Sequence, residues 1–267
     1  AALASRRTPS RPIGTPIALR LSGAVMDTLT IAAASGIRAR LESLEMLANN
    51  IANQATAGFK TDREAYNLYF SPLADGEPPP ALPVIERQWT DFSQGALTRT
   101  GNLTDMALSG SGFFVVRGPG GPLYTRNGHF RVGVAGEWTT TDGFPVLDTG
   151  GKPIRTDPTR PFEVSRSGEI LQEGIPVARL QIVEFDRPEA LRKRQGTYFE
   201  ALRSAEGPRP ARETEVHQGK LEGANMNPAQ AAIRLVAVMR QFEMLQRAVR
   251  LGAEMNRKAV EEVARLR

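Results

Sequence analysis

Apolar positions along the chain follow two different periods. Ile37, Leu41, Leu44, Ala48, Ile51 and Ala55 are separated by steps of 4, 3, 4, 3 and 4, the heptad spacing that lays one seam along a helix. Arg38, Arg40, Glu42, Glu45, Asn49 and Asn50 fall between them and give the helix a polar outer face. Gly58 follows as a helix-ending glycine, so a terminal helix is expected within residues 26–60. A second seam runs through Leu235, Val238, Phe242, Leu245, Val249 and Gly252, and continues in frame at Asn256, Ala259, Val263 and Leu266. Asn227-Pro228 supplies its start, a capping side chain followed by a proline at the first helical position. The second helix is expected over residues 227–267.

Between the helices the period shortens to that of strands. Short apolar or β-branched runs recur over 106–203, among them Gly112–Arg117, Leu123–Arg126, His129–Val134, Glu137–Thr141 and Ala178–Phe185. Asn127-Gly128, Asp142-Gly143, Gly150-Gly151 and Ser167-Gly168 separate them, and such pairs supply the positive φ angles of tight hairpins. This spacing predicts a small sandwich or barrel. Residues 61–105, with Glu77-Pro78-Pro79-Pro80 inside, read as an extended connector with short strands, and 204–226 as a second connector. The expected fold class is α+β: N- and C-terminal heptad helices, a coiled-coil-like terminal domain, flanking a mainly antiparallel all-β module.

Charge changes this picture little. The net charge is +5, but Arg6, Arg7, Arg11 and Arg20 stand in a Pro-rich stretch without acids, and the remainder is close to neutral. Nucleic-acid binding is therefore not expected from charge. No apolar run approaches the roughly 20 residues of a membrane span, so no membrane insertion is expected. Residues 1–25 lack the apolar core of a cleavable signal; they read as a non-native or disordered leader, with Met26 opening the helical pattern.

Candidate chemistry is thin. The chain has no cysteine, and its two histidines, His129 and His217, have no ligand spacing around them. Asp142 and Asp148 are explained by turns. Gly110-Ser111-Gly112 lacks a nucleophile-elbow pattern, and Gly118–Gly121 is interrupted by Pro119. Neither catalysis nor a cofactor or metal is expected.

A lone heptad seam cannot bury its own apolar stripe. Two seams at opposite ends pair with each other, closing a monomer, or with further copies, completing the core only on assembly. Asn49, Asn50 and Asn53 are either solvated helix surface and local caps, or amides that lock neighbouring subunits in register. Three stretches then point to one family. They are Leu47-Ala-Asn-Asn-Ile-Ala-Asn53 with Thr56-Ala-Gly-Phe-Lys60; Gly95–Asn102, Ala107–Val116 and Tyr124–Phe130; and Gln218–Pro228 with Met239–Met244. In this order they resemble the bacterial flagellar basal-body rod and hook proteins. Met26-Asp-Thr-Leu-Thr30 and Asn225-Met-Asn-Pro228 favour a proximal-rod member over a distal-rod or hook-type paralogue.

The resemblance implies a non-enzymatic subunit of the rod, in the basal body that spans the periplasm, required for motility. It implies assembly through the terminal helices into a tubular axial structure, with other rod proteins and copies of itself as partners. It also implies delivery by the flagellar type III export apparatus without a cleavable signal. The expected interface is Ile37, Leu41, Leu44, Ala48, Asn49, Asn50, Ile51, Asn53, Leu235, Val238, Phe242, Leu245 and Val249. The competing reading from another class is an oligomeric β-module that binds carbohydrate or peptide.

Overall fold

The computed structural model describes residues 18–70, 81–202 and 207–265. The expected leader up to residue 17, the Pro-rich run at 71–80, residues 203–206 and Leu266 lie outside the described residues. Helix α1 (Ala18–Ala52) is longer than its seam and includes part of the expected leader. β1 (Asp62–Phe70) and β2 (Ala81–Thr90) pair as a two-stranded sheet, so the expected extended connector holds strands of 9 and 10 residues rather than short ones.

The strands that follow are β3 (Leu97–Arg99), β4 (Met106–Ser109), β5 (Phe113–Gly118), β6 (Gly121–Thr125), β7 (Phe130–Val132) and β8 (Trp138–Thr140). Next come β9 (Phe162–Val164), β10 (Glu169–Gln172), β11 (Ile175–Arg179) and β12 (Ile182–Glu184). After a 3-10 turn at Pro188–Ala190 come β13 (Leu191–Lys193), β14 (Tyr198–Ala201), β15 (Arg209–Pro210), β16 (Glu215–Gln218) and β17 (Lys220–Glu222). Helix α2 (Pro228–Arg265) closes the chain. Every strand ladder from β3 onward is antiparallel. The α+β class with a mainly antiparallel module and a helix at each end is thus what the chain adopts.

The main sheet has six strands in the order β13-β14-β6-β5-β12-β15. It ends in two edge strands, so it does not close into a barrel. Phe113–Val116 in β5 are all buried, because the sheet is covered on both faces. Phe114 and Val116 face a core with Phe130, Trp138, Ile170 and Tyr198. Phe113 and Val115 face a second core with Tyr124, Val183, Leu191 and Phe199. Edge-on aromatic contacts join each cluster, such as Phe114–Phe130 at 5.0 Å and Phe92–Phe199 at 5.0 Å between ring centroids.

One turn differs from its expected form. Asn127-Gly128 is not a tight hairpin: neither residue has positive φ, and β6 pairs with β5 and β14 rather than with β7. Gly128 is needed for another reason, since a Cβ there would lie 1.8 Å from the Met106 carbonyl oxygen. The glycines at 143, 151 and 168 do take positive φ, as their turn pairs require.

Tyr198 is buried in the first core and donates its hydroxyl to Asp142 Oδ2 at 2.7 Å. Burial pushes its pKa up strongly, and the Asp142 carboxylate adds to the rise. The unfolded chain then ionises this phenol near pH 10 while the folded chain holds its proton. Stability contributed below pH 10 is accordingly lost as pH rises beyond it, by up to about 1.4 kcal/mol per pH unit. Chemical denaturation between pH 9 and 11.5 should show this fall, and Tyr198→Phe should make it shallower.

The described residues divide into two compact units. One is Glu42–Ala65 with Glu86–Val238; the other holds the remaining parts of the two helices and of β1 and β2. The first unit contains the whole β-module and the root of each helix.

Candidate assembly site

Two features bear on function: the apolar faces of the terminal helices, and the place where the helix roots meet the β-module.

On α1 the buried stripe is not the expected one. Ala33, Gly36, Ala39, Ser43, Leu47 and Asn50 are buried. Ile37, Leu44 and Ile51 are half-buried, Ala48 and Asn49 are exposed, and Leu41 is 44% exposed. The inward face is the one with small and polar residues, about a third of a turn away from the Leu/Ile seam. Its polar members explain the choice. Ser43 donates to Glu64, and Asn50 holds the start of β1 through a donated bond to the Asp62 carbonyl (2.9 Å) and an accepted bond from the Asp62 amide (3.0 Å). The Asn50 amide is therefore engaged within the chain. Asn53 is a local cap: it donates to the Asn49 carbonyl at 2.9 Å and accepts from Thr56 at 3.2 Å.

On α2 the least exposed positions do follow the seam. Val238 is buried, and Leu235, Phe242, Leu245, Val249 and Gly252 are half-buried. A second apolar row remains outside, with Ile233 at 72%, Met244 at 59%, Leu251 at 59% and Met255 at 60% exposure. The helix starts where expected, the Asn227 side chain accepting from the amides of Ala229 (3.0 Å) and Gln230 (3.3 Å).

The roots of both helices meet at a buried ion cluster that sequence reasoning missed. Lys60, Arg126 and Glu222 lie far apart in the chain, yet their side chains are 0%, 2% and 0% exposed. Lys60 Nζ donates to Glu222 Oε1 at 2.7 Å and to the Ser93 carbonyl at 2.7 Å. Glu222 Oε1 also accepts from the Gly95 amide at 2.9 Å, and its Oε2 lies 3.5 Å from Arg126 Nη1. Arg126 donates to the Gly110 carbonyl and lies over the Phe113 ring, 5.2 Å from its centroid. Burial lowers the pKa of Lys60, and the Glu222 carboxylate pulls it back up; burial lowers that of Arg126 as well, again opposed by Glu222.

Backbone packing around this cluster is equally tight. Gly58 takes φ +66°, and a Cβ on it would lie 2.2 Å from the Asn127 nitrogen; a Cβ on Gly95 would lie 2.0 Å from the Gly223 carbonyl oxygen. The Gly58 amide donates to the Glu222 carbonyl at 2.7 Å, and Gly223 to that of Ala96 at 2.8 Å. Asn225 accepts from the Thr61 amide at 2.9 Å and donates to the Asp91 carbonyl at 2.7 Å. Lys193 of β13 completes the corner, donating to the Lys60 carbonyl (2.7 Å) and to Asp62 (2.8 Å) with its ammonium 4.2 Å from the Phe59 ring centre. The stretches Thr56–Lys60, Gly95–Asn102, Tyr124–Phe130 and Gln218–Pro228 thus converge on one structural node. Its chemistry, paired charges and backbone hydrogen bonds between distant segments, is that of a joint.

Comparison with known proteins agrees with this organisation. The family model "Flagellar hook protein FlgE/F/G D1 domain" matches residues 107–175, and "Flagellar basal body rod FlgEFG protein C-terminal" matches residues 217–262. The flagellar basal-body rod protein FlgF of Caulobacter vibrioides is 33% identical over 227 residues, covering 84% of this chain and 92% of that protein. FlgF of Rhizobium meliloti is 33% identical over 223 residues, covering 82% and 90%. The flagellar hook protein FlgE of Brucella abortus is 32% identical over 117 residues, 43% of this chain and 30% of that protein.

The chain belongs to the flagellar basal-body rod protein family. Within it the chain is most like FlgF. It is a structural, non-enzymatic subunit of the flagellar basal body. Among the described residues no helix is long and apolar enough to cross a membrane.

Proposed function

We propose that this subunit is built into the proximal rod by its terminal helices, whose outer apolar rows are completed only by neighbouring subunits. The observation that carries this reading is the pair of uncovered rows. Ile37, Leu41, Leu44, Ala48 and Ile51 on α1 stay exposed or half-covered while another face of the same helix is buried. The row through Ile233, Met244, Leu251 and Met255 on α2 stays exposed while the heptad seam is partly covered. Burying a Leu, Ile or Met side chain contributes roughly 1.5–3 kcal/mol, so two such rows are a strong drive to associate. Leu235, Val238, Phe242, Leu245 and Val249 act in this reading as the inner seam that keeps α2 in place, with coiled-coil-like packing.

The partners are other rod proteins and copies of this chain, and the subunit reaches them through the flagellar export apparatus. Different rows meeting head to tail between subunits give an open, helical assembly rather than a closed pair, as an axial tube requires. The double substitution Leu41→Lys with Ala48→Lys, both at exposed positions of the row, tests the reading. Melting of the β-module should remain within about 1 °C, since surface changes have small effects on stability. The amount of subunit recovered in purified basal bodies should drop about tenfold or more, with loss of motility. Normal incorporation would overturn the proposal.

A further inference from the structure

We propose that Glu222 is a completion latch, which lets the two helix roots join the β-module only once the late β17 segment of the chain is present. Lys60 and Glu222 are 162 residues apart, and Arg126 and Glu222 are 96 apart. Both cations come from earlier parts of the chain than the carboxylate that serves them. Other nearby carboxylates are engaged elsewhere: Asp91 pairs with Arg63 at 2.7 Å and Asp62 with Lys193 at 2.8 Å. Among the described residues, Glu222 alone is bonded to both buried cations.

A chain grows N-terminus first, and early segments are free to fold before late ones exist. Before Glu222 is made, closing the joint requires burying an ammonium and a guanidinium with no carboxylate between them. That cost is large against the marginal stability of a domain. The strands of the main sheet carry no such requirement and close around their aromatic cores. The latch therefore holds back only the joint: Gly58, Thr61, Gly95 and Gly223 gain their hydrogen bonds in the same step as the carboxylate enters. A chain that stops short of Glu222 lacks this joint and cannot present both helix roots in the arrangement that assembly needs.

Hydrogen exchange on the purified full-length chain tests this without reference to any assembly. Glu222→Gln keeps the shape and hydrogen-bonding capacity of the side chain and removes its charge. Amides of Gly58, Thr61, Gly95 and Gly223 should exchange about a hundredfold faster or more, while those of β5, β6 and β12 keep wild-type protection. Glu222→Gln combined with Lys60→Met returns the cluster to its native net charge, with one cation removed along with the carboxylate charge. The double variant should regain most of the lost protection. Uniform loss across the main sheet, unchanged exchange at the joint, or failure of the second substitution to rescue would each overturn the latch.

Discussion

Truncating Trp138 to alanine should cost about 3–5 kcal/mol and leave the protein partly unfolded at ordinary temperature. Trp138 is fully buried and touches the first core on several sides. Its ring meets Phe162 edge-on at 5.0 Å and lies 6.4 Å from Phe130, and its indole N–H donates to Thr156 Oγ1 at 3.0 Å. Removing it opens a cavity between β7, β8 and β9 and leaves that hydroxyl without its donor. The neighbourhood is poorly able to collapse into the gap. Gly136 fixes the adjoining loop, with its Cα so close to Thr156 that a Cβ would lie 1.7 Å from the carbonyl oxygen. Denaturant unfolding followed by far-UV circular dichroism should show the midpoint falling with the slope unchanged. A loss under 1 kcal/mol would mean that the core repacks freely.

Gly58→Ala should be nearly as damaging, by a local route. The left-handed φ alone costs about 1–2 kcal/mol for a residue with a side chain, and the new methyl must also displace the backbone between Arg126 and Asn127. The Gly58–Glu222 backbone bond is lost when that backbone moves. Thermal unfolding should fall by several degrees, and proteolysis should begin between α1 and β1 while fragments of the β-module persist. Wild-type melting together with an intact α1–β1 segment would show that the close approach is looser than the structure gives.

Much of this arrangement was legible in the residues. The Asn227-Pro228 start of α2, the strand runs, and the glycines at 143, 151 and 168 follow from local chemistry that tertiary contacts do not override. The seam on α1 was legible as a pattern, but its direction was not. Period says which residues share a face, and size invites the reading that the largest apolar ones turn inward. Here Ser43 and Asn50 find partners in β1, and the small face is the one that packs. The ion cluster left no periodic trace, because Lys60, Arg126 and Glu222 each look like ordinary surface charges until the chain brings them together. A hint existed in Gly58, Gly95 and Gly128, glycines that mark places where backbone approaches backbone. The resemblance quoted for the surrounding stretches pointed at the same residues without saying that they touch.

The ladders that flank the joint carry one more consequence. β3 lies beside β17, with Arg99 opposite Lys220, and β4 lies beside β16, with Ser109 opposite Glu215. The polypeptide enters and leaves the β-module through two neighbouring strands. Everything between them is topologically an insertion, a cassette on a two-rail mount. It is still tied to the helix roots, Arg126 through Glu222 and Lys193 through Lys60 and Asp62, so a longer or shorter cassette spliced between Ser109 and Glu215 must keep those contacts in place.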